Sequence, residues 1–138
     1  MNRIKMLLAS LVAAICVMAA MASFASADVT FGGQWTLQVF HPLTSGGQIY
    51  GGAYLSGNTG VYFAETETCI QIQAADGSFV NKSGSCIAVS PKSFGWTYSL
   101  RTSYSPGHVF RTWAWATVWV TPNGPAYSGS SVSNTITT

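Results

Sequence analysis

From residue 28 onward the chain is cut into short segments by glycine-centred turn clusters, and that constrains its fold more than any other feature. The clusters are Thr44-Ser45-Gly46-Gly47, Ser56-Gly57-Asn58, Asp76-Gly77, Lys82-Ser83-Gly84, Ser105-Pro106-Gly107 and Pro122-Asn123-Gly124-Pro125. Each places residues that favour turn dihedrals between runs of β-branched and aromatic side chains. Between them there is little to build a helix from: residues 28–138 hold four Leu and no Met. Short strands with turns at this spacing predict an all-β, single-domain antiparallel sandwich.

Residues 1–27 are a different object. Arg3 and Lys5 precede an apolar stretch from Met6 to Met21, and Ala25-Ser26-Ala27 supplies a small-residue cleavage pattern. That arrangement predicts a signal peptide over 1–27 and a secreted β-sandwich domain over 28–138, extracellular or periplasmic, with no transmembrane segment in the mature chain. Removing the leader changes the charge. The formal +2 of the whole chain falls to zero, with Lys82, Lys92, Arg101 and Arg111 balanced by Asp28, Glu65, Glu67 and Asp76. With 7% charged residues overall, the chain lacks the dense basic surface that nucleic acid requires.

The mature chain retains two thiols, Cys69 and Cys86. In an exported protein these predict one disulfide, closing a loop of about 18 residues. Period-two alternation gives their side of the sheet. Along residues 65–74, Thr68, Ile70, Ile72 and Ala74 face one way, while Glu65, Glu67, Cys69, Gln71 and Gln73 face the other. Asp76-Gly77 then predicts a hairpin into Ser78–Asn81. In the next strand Cys86 lies opposite Ile87 and Val89, so the bridge is expected at a solvent face or sheet edge. Further strands are expected over residues 34–39 and 48–55, as a long pair over 95–103 and 107–121, and over Ser133–Thr137. Gly32-Gly33, Gly46-Gly47 and Gly51-Gly52 read as turns or bulges.

From Tyr104 the chain runs through Pro106-Gly107, Phe110, Ala114, Ala116 and Gly124 to a Ser-rich end at Ser131–Thr137. This resembles the last third of fibronectin type III and related immunoglobulin-like sandwich modules. The stretch Ile70–Val80, with its Asp-Gly hairpin and Phe79, is similar to their middle hairpin. The resemblance implies a scaffold used for binding or spacing and an inward orientation of Ala114 and Ala116.

Within that region Arg111–Thr121 alternates strictly. Arg111, Trp113, Trp115, Thr117, Trp119 and Thr121 share one side; Thr112, Ala114, Ala116, Val118 and Val120 share the other. If the small side packs inward, Arg111, Trp113, Trp115 and Trp119 form an outward binding stripe suited to stacking on sugar rings. Two alternatives stand beside it: the indoles are core, or they form a structural ladder covered by Tyr98 and Arg101 from the preceding strand.

No catalytic or metal motif emerges. His41 and His108 have no metal spacing, no Gly-x-Ser-x-Gly elbow is present, and no cofactor is implied. Glu65 and Glu67 lie on one side of one strand, where neighbouring carboxylates are commonly just solvated. The sequence therefore predicts a non-catalytic binding or surface-interaction module for a neutral glycan, an envelope polymer or an extracellular protein. The alternatives are a secreted toxin or antimicrobial protein acting at membranes, and a self-associating structural surface protein.

Overall fold

The computed structural model describes residues 25–90 and 93–138. The basic start and apolar stretch of the expected leader lie outside them, and its last three residues, 25–27, begin the first strand. Among the described residues, eleven strands form two antiparallel sheets packed face to face. The first sheet orders β1 (Ala25–Phe31), β2 (Trp35–Ser45), β3 (Gln48–Gly57) and β7 (Gly95–Tyr98), with β8 (Thr102–Ser103) also on β3. The second orders β10 (Ala126–Val132), β9 (Val109–Trp119), β4 (Phe63–Gln73) and β5 (Phe79–Asn81). Here β6 (Ile87–Val89) pairs with β4 and β11 (Ile136–Thr137) with β9.

The local chemistry explains these boundaries. β2 turns into β3 through Gly46-Gly47, both at positive φ (58° and 74°), the geometry a two-residue hairpin loop demands. Asp76-Gly77 closes the β4–β5 hairpin, where Gln73 pairs with Phe79. Gly51-Gly52, by contrast, is no turn; Gly51 lies opposite the register shift of β2 between Phe40 and Leu43, as a bulge reading expects. Both lie mid-strand in β3, and their missing side chains admit neighbours: Thr112 of the opposite sheet packs directly on Gly51, and aromatic rings lie over Gly52.

The expected pairing of 95–103 with 107–121 does not form. β7 joins β3 in the first sheet, whereas β9 lies between β4 and β10 in the second. Alternation reports which side of a strand is apolar; it carries no information on the partner strand. The expected terminal strand is also shorter, confined to Ile136–Thr137.

The core has two apolar parts. The larger gathers Trp35, Leu37, Val39, Leu55, Ala116 and Val118, among others; the smaller is Ile49, Ile70 and Phe110. Along β4 and β9 the register places buried Thr66, Thr68 and Thr112 between them. Thr68 Oγ1 and Thr112 Oγ1 have no hydrogen-bond partner among the described residues.

Candidate functional site

β9 is the organising strand of the second sheet. Ala114 and Ala116 are 0% exposed, as are Phe110, Thr112 and Val118, so the even side faces the core. Arg111, Trp113, Trp115 and Trp119 consequently lie on the outward side, each half-buried. The core reading of these indoles is thus overturned. So is the ladder covered by Tyr98 and Arg101, because Tyr98 belongs to β7 of the first sheet and Arg101, just after it, lies over Tyr50 of β3.

Partial burial of the stripe comes from neighbours within its own sheet. Trp113 sits across from Cys69 and Val132, and Trp115 across from Glu67 and Ser130. Trp119 meets Phe63 edge-on, ring centres 5.1 Å apart. Thr117 interrupts the row: its hydroxyl is 2.7 Å from that of Ser128 and it is buried. Arg111 Nε donates to Gln71 Oε1 at 2.8 Å, and its guanidinium lies 4.1 Å from the Phe79 ring centre. Burial pushes the Arg111 pKa down from its ordinary value, and a guanidinium still keeps its charge near neutrality.

The disulfide is formed. Cys69 and Cys86, with Cα atoms 4.1 Å apart, tie β4 to the residue preceding β6. The bridge lies within the second sheet, on the side of Glu67 and Gln71 that alternation predicts, but it is not solvent-facing as expected: Cys69 is fully buried and only Cys86 is partly exposed. Glu67, Cys69 and Cys86 also bring three potential metal-ligand atoms within 4.8 Å. The two sulfurs are bonded to each other, so this cluster presents no thiolate donors. Glu65 and Glu67 pair with Thr117 and Trp115 of β9.

A second aromatic surface, absent from the sequence reading, occupies the outer side of the first sheet. The register sets Tyr54 across from Trp96, and Gly52 between Phe40 and Tyr98. Trp96 and Tyr98 are parallel to within 4°, centres 5.6 Å apart. Phe40 lies 4.7 Å from Trp96, Tyr54 meets Trp96 edge-on at 5.3 Å, and Tyr50 meets Tyr98 edge-on at 6.5 Å. A cavity of about 70 Å³ opens among Phe40, His41, Leu43, Tyr50, Trp96 and Tyr98, over Gly52. Trp96 is 37% and Tyr98 48% exposed. The signal was present in the alternation Tyr50-Gly52-Tyr54 and in Trp96-x-Tyr98, but three strands must be in register before it becomes a surface.

Comparison of the chain with protein-family models, with curated proteins and with solved structures finds no match.

Proposed function

We propose that this protein is a secreted, non-catalytic binding module that contacts a neutral glycan or envelope polymer through the outward side of β9. One observation carries the reading: the complete burial of Ala114 and Ala116 turns Trp113 and Trp115 to the outside of the sheet. Indoles two apart on one side of a strand are roughly 7 Å apart. They offer apolar, polarisable faces to the C–H side of a sugar ring, with Trp119 and Arg111 flanking them. The balanced charge of residues 28–138 suits an uncharged ligand. An oxidising compartment is supported by the disulfide, and no helix among the described residues is long and apolar enough to cross a membrane.

The immunoglobulin-like reading of the scaffold is supported by how the strands divide. Setting aside β1 and the short strands β5, β6, β8 and β11, the sandwich opposes β2, β3 and β7 to β4, β9 and β10. Constant-type immunoglobulin modules oppose their first, second, fourth and fifth strands to the third, sixth and seventh, so the division agrees apart from the fourth.

The test is co-sedimentation of the purified protein with insoluble cellulose, chitin and starch, beside phospholipid vesicles. Retention on one polysaccharide, weakened about tenfold by Trp115→Ala with unchanged thermal stability, is the expected result. Equal retention of Trp115→Ala, or binding to vesicles alone, overturns the reading.

A further inference from the structure

We propose that the open edge of β10 is where a second copy of this chain adds, β10 against β10 in antiparallel register, with the two-fold axis at Gly129. The inference does not depend on what the β9 stripe binds.

An edge strand carries a row of backbone N–H and C=O groups without partners. Folded proteins guard such rows by keeping the strand short, by bulging it, or by placing charge or proline on it. The other edges among the described residues each have one of these guards. β1 carries Asp28 and a register shift between Ala25 and Ala27. The part of β2 beyond β1 contains Pro42 and a second shift, between Phe40 and Leu43. β5 and β6 are three residues each, β7 is four, and β8 and β11 are two. β10 has no such guard. Its seven residues, Ala126–Val132, pair with Trp119 through Trp113 of β9 without a shift. They include no proline and no charged side chain. Among the described residues no strand lies beyond β10, no loop backbone bonds to it, and none of its residues is fully buried.

The composition of this edge points to its own copy. Centred on Gly129, Ser128 comes opposite the partner's Ser130, Tyr127 opposite the partner's Ser131, and Ala126 opposite the partner's Val132. That register pairs all seven residues, any slip shortens the ladder, and no like charges face each other across it. Only alternate residues of an edge strand direct their N–H and C=O outward. A register symmetric about one residue always brings the free set of one copy against the free set of the other. A foreign strand, by contrast, is selected by pockets for its alternate side chains, and the small residues Ser128, Gly129 and Ser130 supply no walls for one.

Joining two copies extends the second sheet across the axis. β9 and its symmetry mate then lie three strand spacings apart, roughly 14 Å, with both indole stripes on one continuous outward face. A single seven-residue ladder buries little area, so the dimer is weak, with a dissociation constant of about 0.1 mM.

Sedimentation velocity of the purified protein between about 10 µM and about 1 mM tests this. Wild type is expected to pass from monomer to dimer over that range. Ser130→Lys places an ammonium at an exposed position of the edge and is expected to weaken dimerisation about tenfold, with an unchanged thermal midpoint. Val80→Lys adds the same charge on β5, at the opposite edge of the same sheet, and is expected to dimerise like wild type. Register is read by mixing Ser128→Cys with Ser130→Cys under mild oxidation. Directly opposite positions hold Cβ atoms about 4.5–5.5 Å apart and diagonal ones about 7–8 Å, so cross-linked heterodimer is expected to dominate over both homodimers. Five results each overturn the proposal: wild type monomeric throughout, higher oligomers in place of a dimer, Ser130→Lys dimerising at full strength, Val80→Lys weakening it equally, or homodimer cross-links as abundant as heterodimer.

Discussion

Thr66 of β4 and Thr97 of β7 join the two sheets through a hydroxyl–hydroxyl hydrogen bond of 2.9 Å, with both side chains buried. Thr66→Val keeps the shape but strands the Thr97 hydroxyl away from water, a loss of about 1–3 kcal/mol. The double variant Thr66→Val/Thr97→Val removes both polar groups and is expected to lose less than the sum of the singles. Urea unfolding of the four proteins checks this; strict additivity contradicts it.

Gly129 of β10 lies against the Phe31 ring of β1, at the paired edges of the two sheets. A Cβ at Gly129 would fall 2.6 Å from Phe31 Cδ1. Gly129→Ala is therefore expected to destabilise by about 1–3 kcal/mol through overpacking. Adding Phe31→Leu should recover part of that loss, measurable by chemical denaturation.

The Cys69–Cys86 bridge spans a sequence separation of 17 residues. On chain entropy such a loop contributes about 3 kcal/mol. For a domain of this size that corresponds to a fall of roughly 10–20 °C in the thermal midpoint on reduction. Cys69→Ala/Cys86→Ala should fall similarly and become insensitive to dithiothreitol in calorimetry.

Asp76 accepts hydrogen bonds from the Ser78 hydroxyl at 2.6 Å and the Ser78 backbone N–H at 2.9 Å. These hold its carboxyl below its ordinary value, the side-chain bond contributing most. A depressed folded value means the contribution is complete above the unfolded value of about 3.9 and is lost as pH falls through the folded one. Comparing stability at about pH 5 and about pH 2, Asp76→Asn should show a smaller acid loss than wild type. An identical acid loss contradicts this assignment. The group is fully exposed, so the difference is expected to be small.

Tryptophan emission should separate buried from exposed rings. Trp35 is 1% exposed and its Nε1 donates to the Asn58 carbonyl at 2.8 Å. Trp96 is open to solvent on the cleft. Acrylamide quenching is expected to drop more in Trp96→Phe than in Trp35→Phe, whereas only Trp35→Phe should cost stability, about 1–3 kcal/mol. Equal quenching changes would contradict the packing of these two rings.

Much of this was legible locally. Alternation along β9 separated Ala114 and Ala116 from Trp113 and Trp115, because successive side chains of a strand point to opposite sides. The same rule put Cys69 with Glu67 and Gln71, and Asp76-Gly77 marked its hairpin through turn dihedrals. For the indole stripe, the sequence left three readings open, and only packing chose among them, by placing Tyr98 and Arg101 on the other sheet.

What composition and periodicity determined alone was an all-β chain, its two-sided strands and its disulfide pair. These depend on dihedral preferences and on spacing within a few residues. The tertiary structure alone decided which strands are neighbours: β9 beside β4 rather than β7, and Phe40, Tyr54 and Trp96 together around Gly52. Strand pairing depends on backbone hydrogen bonds available to any strand, so partners are selected by the whole core closing at once. A cleft assembled from β2, β3 and β7 exists only after that closure.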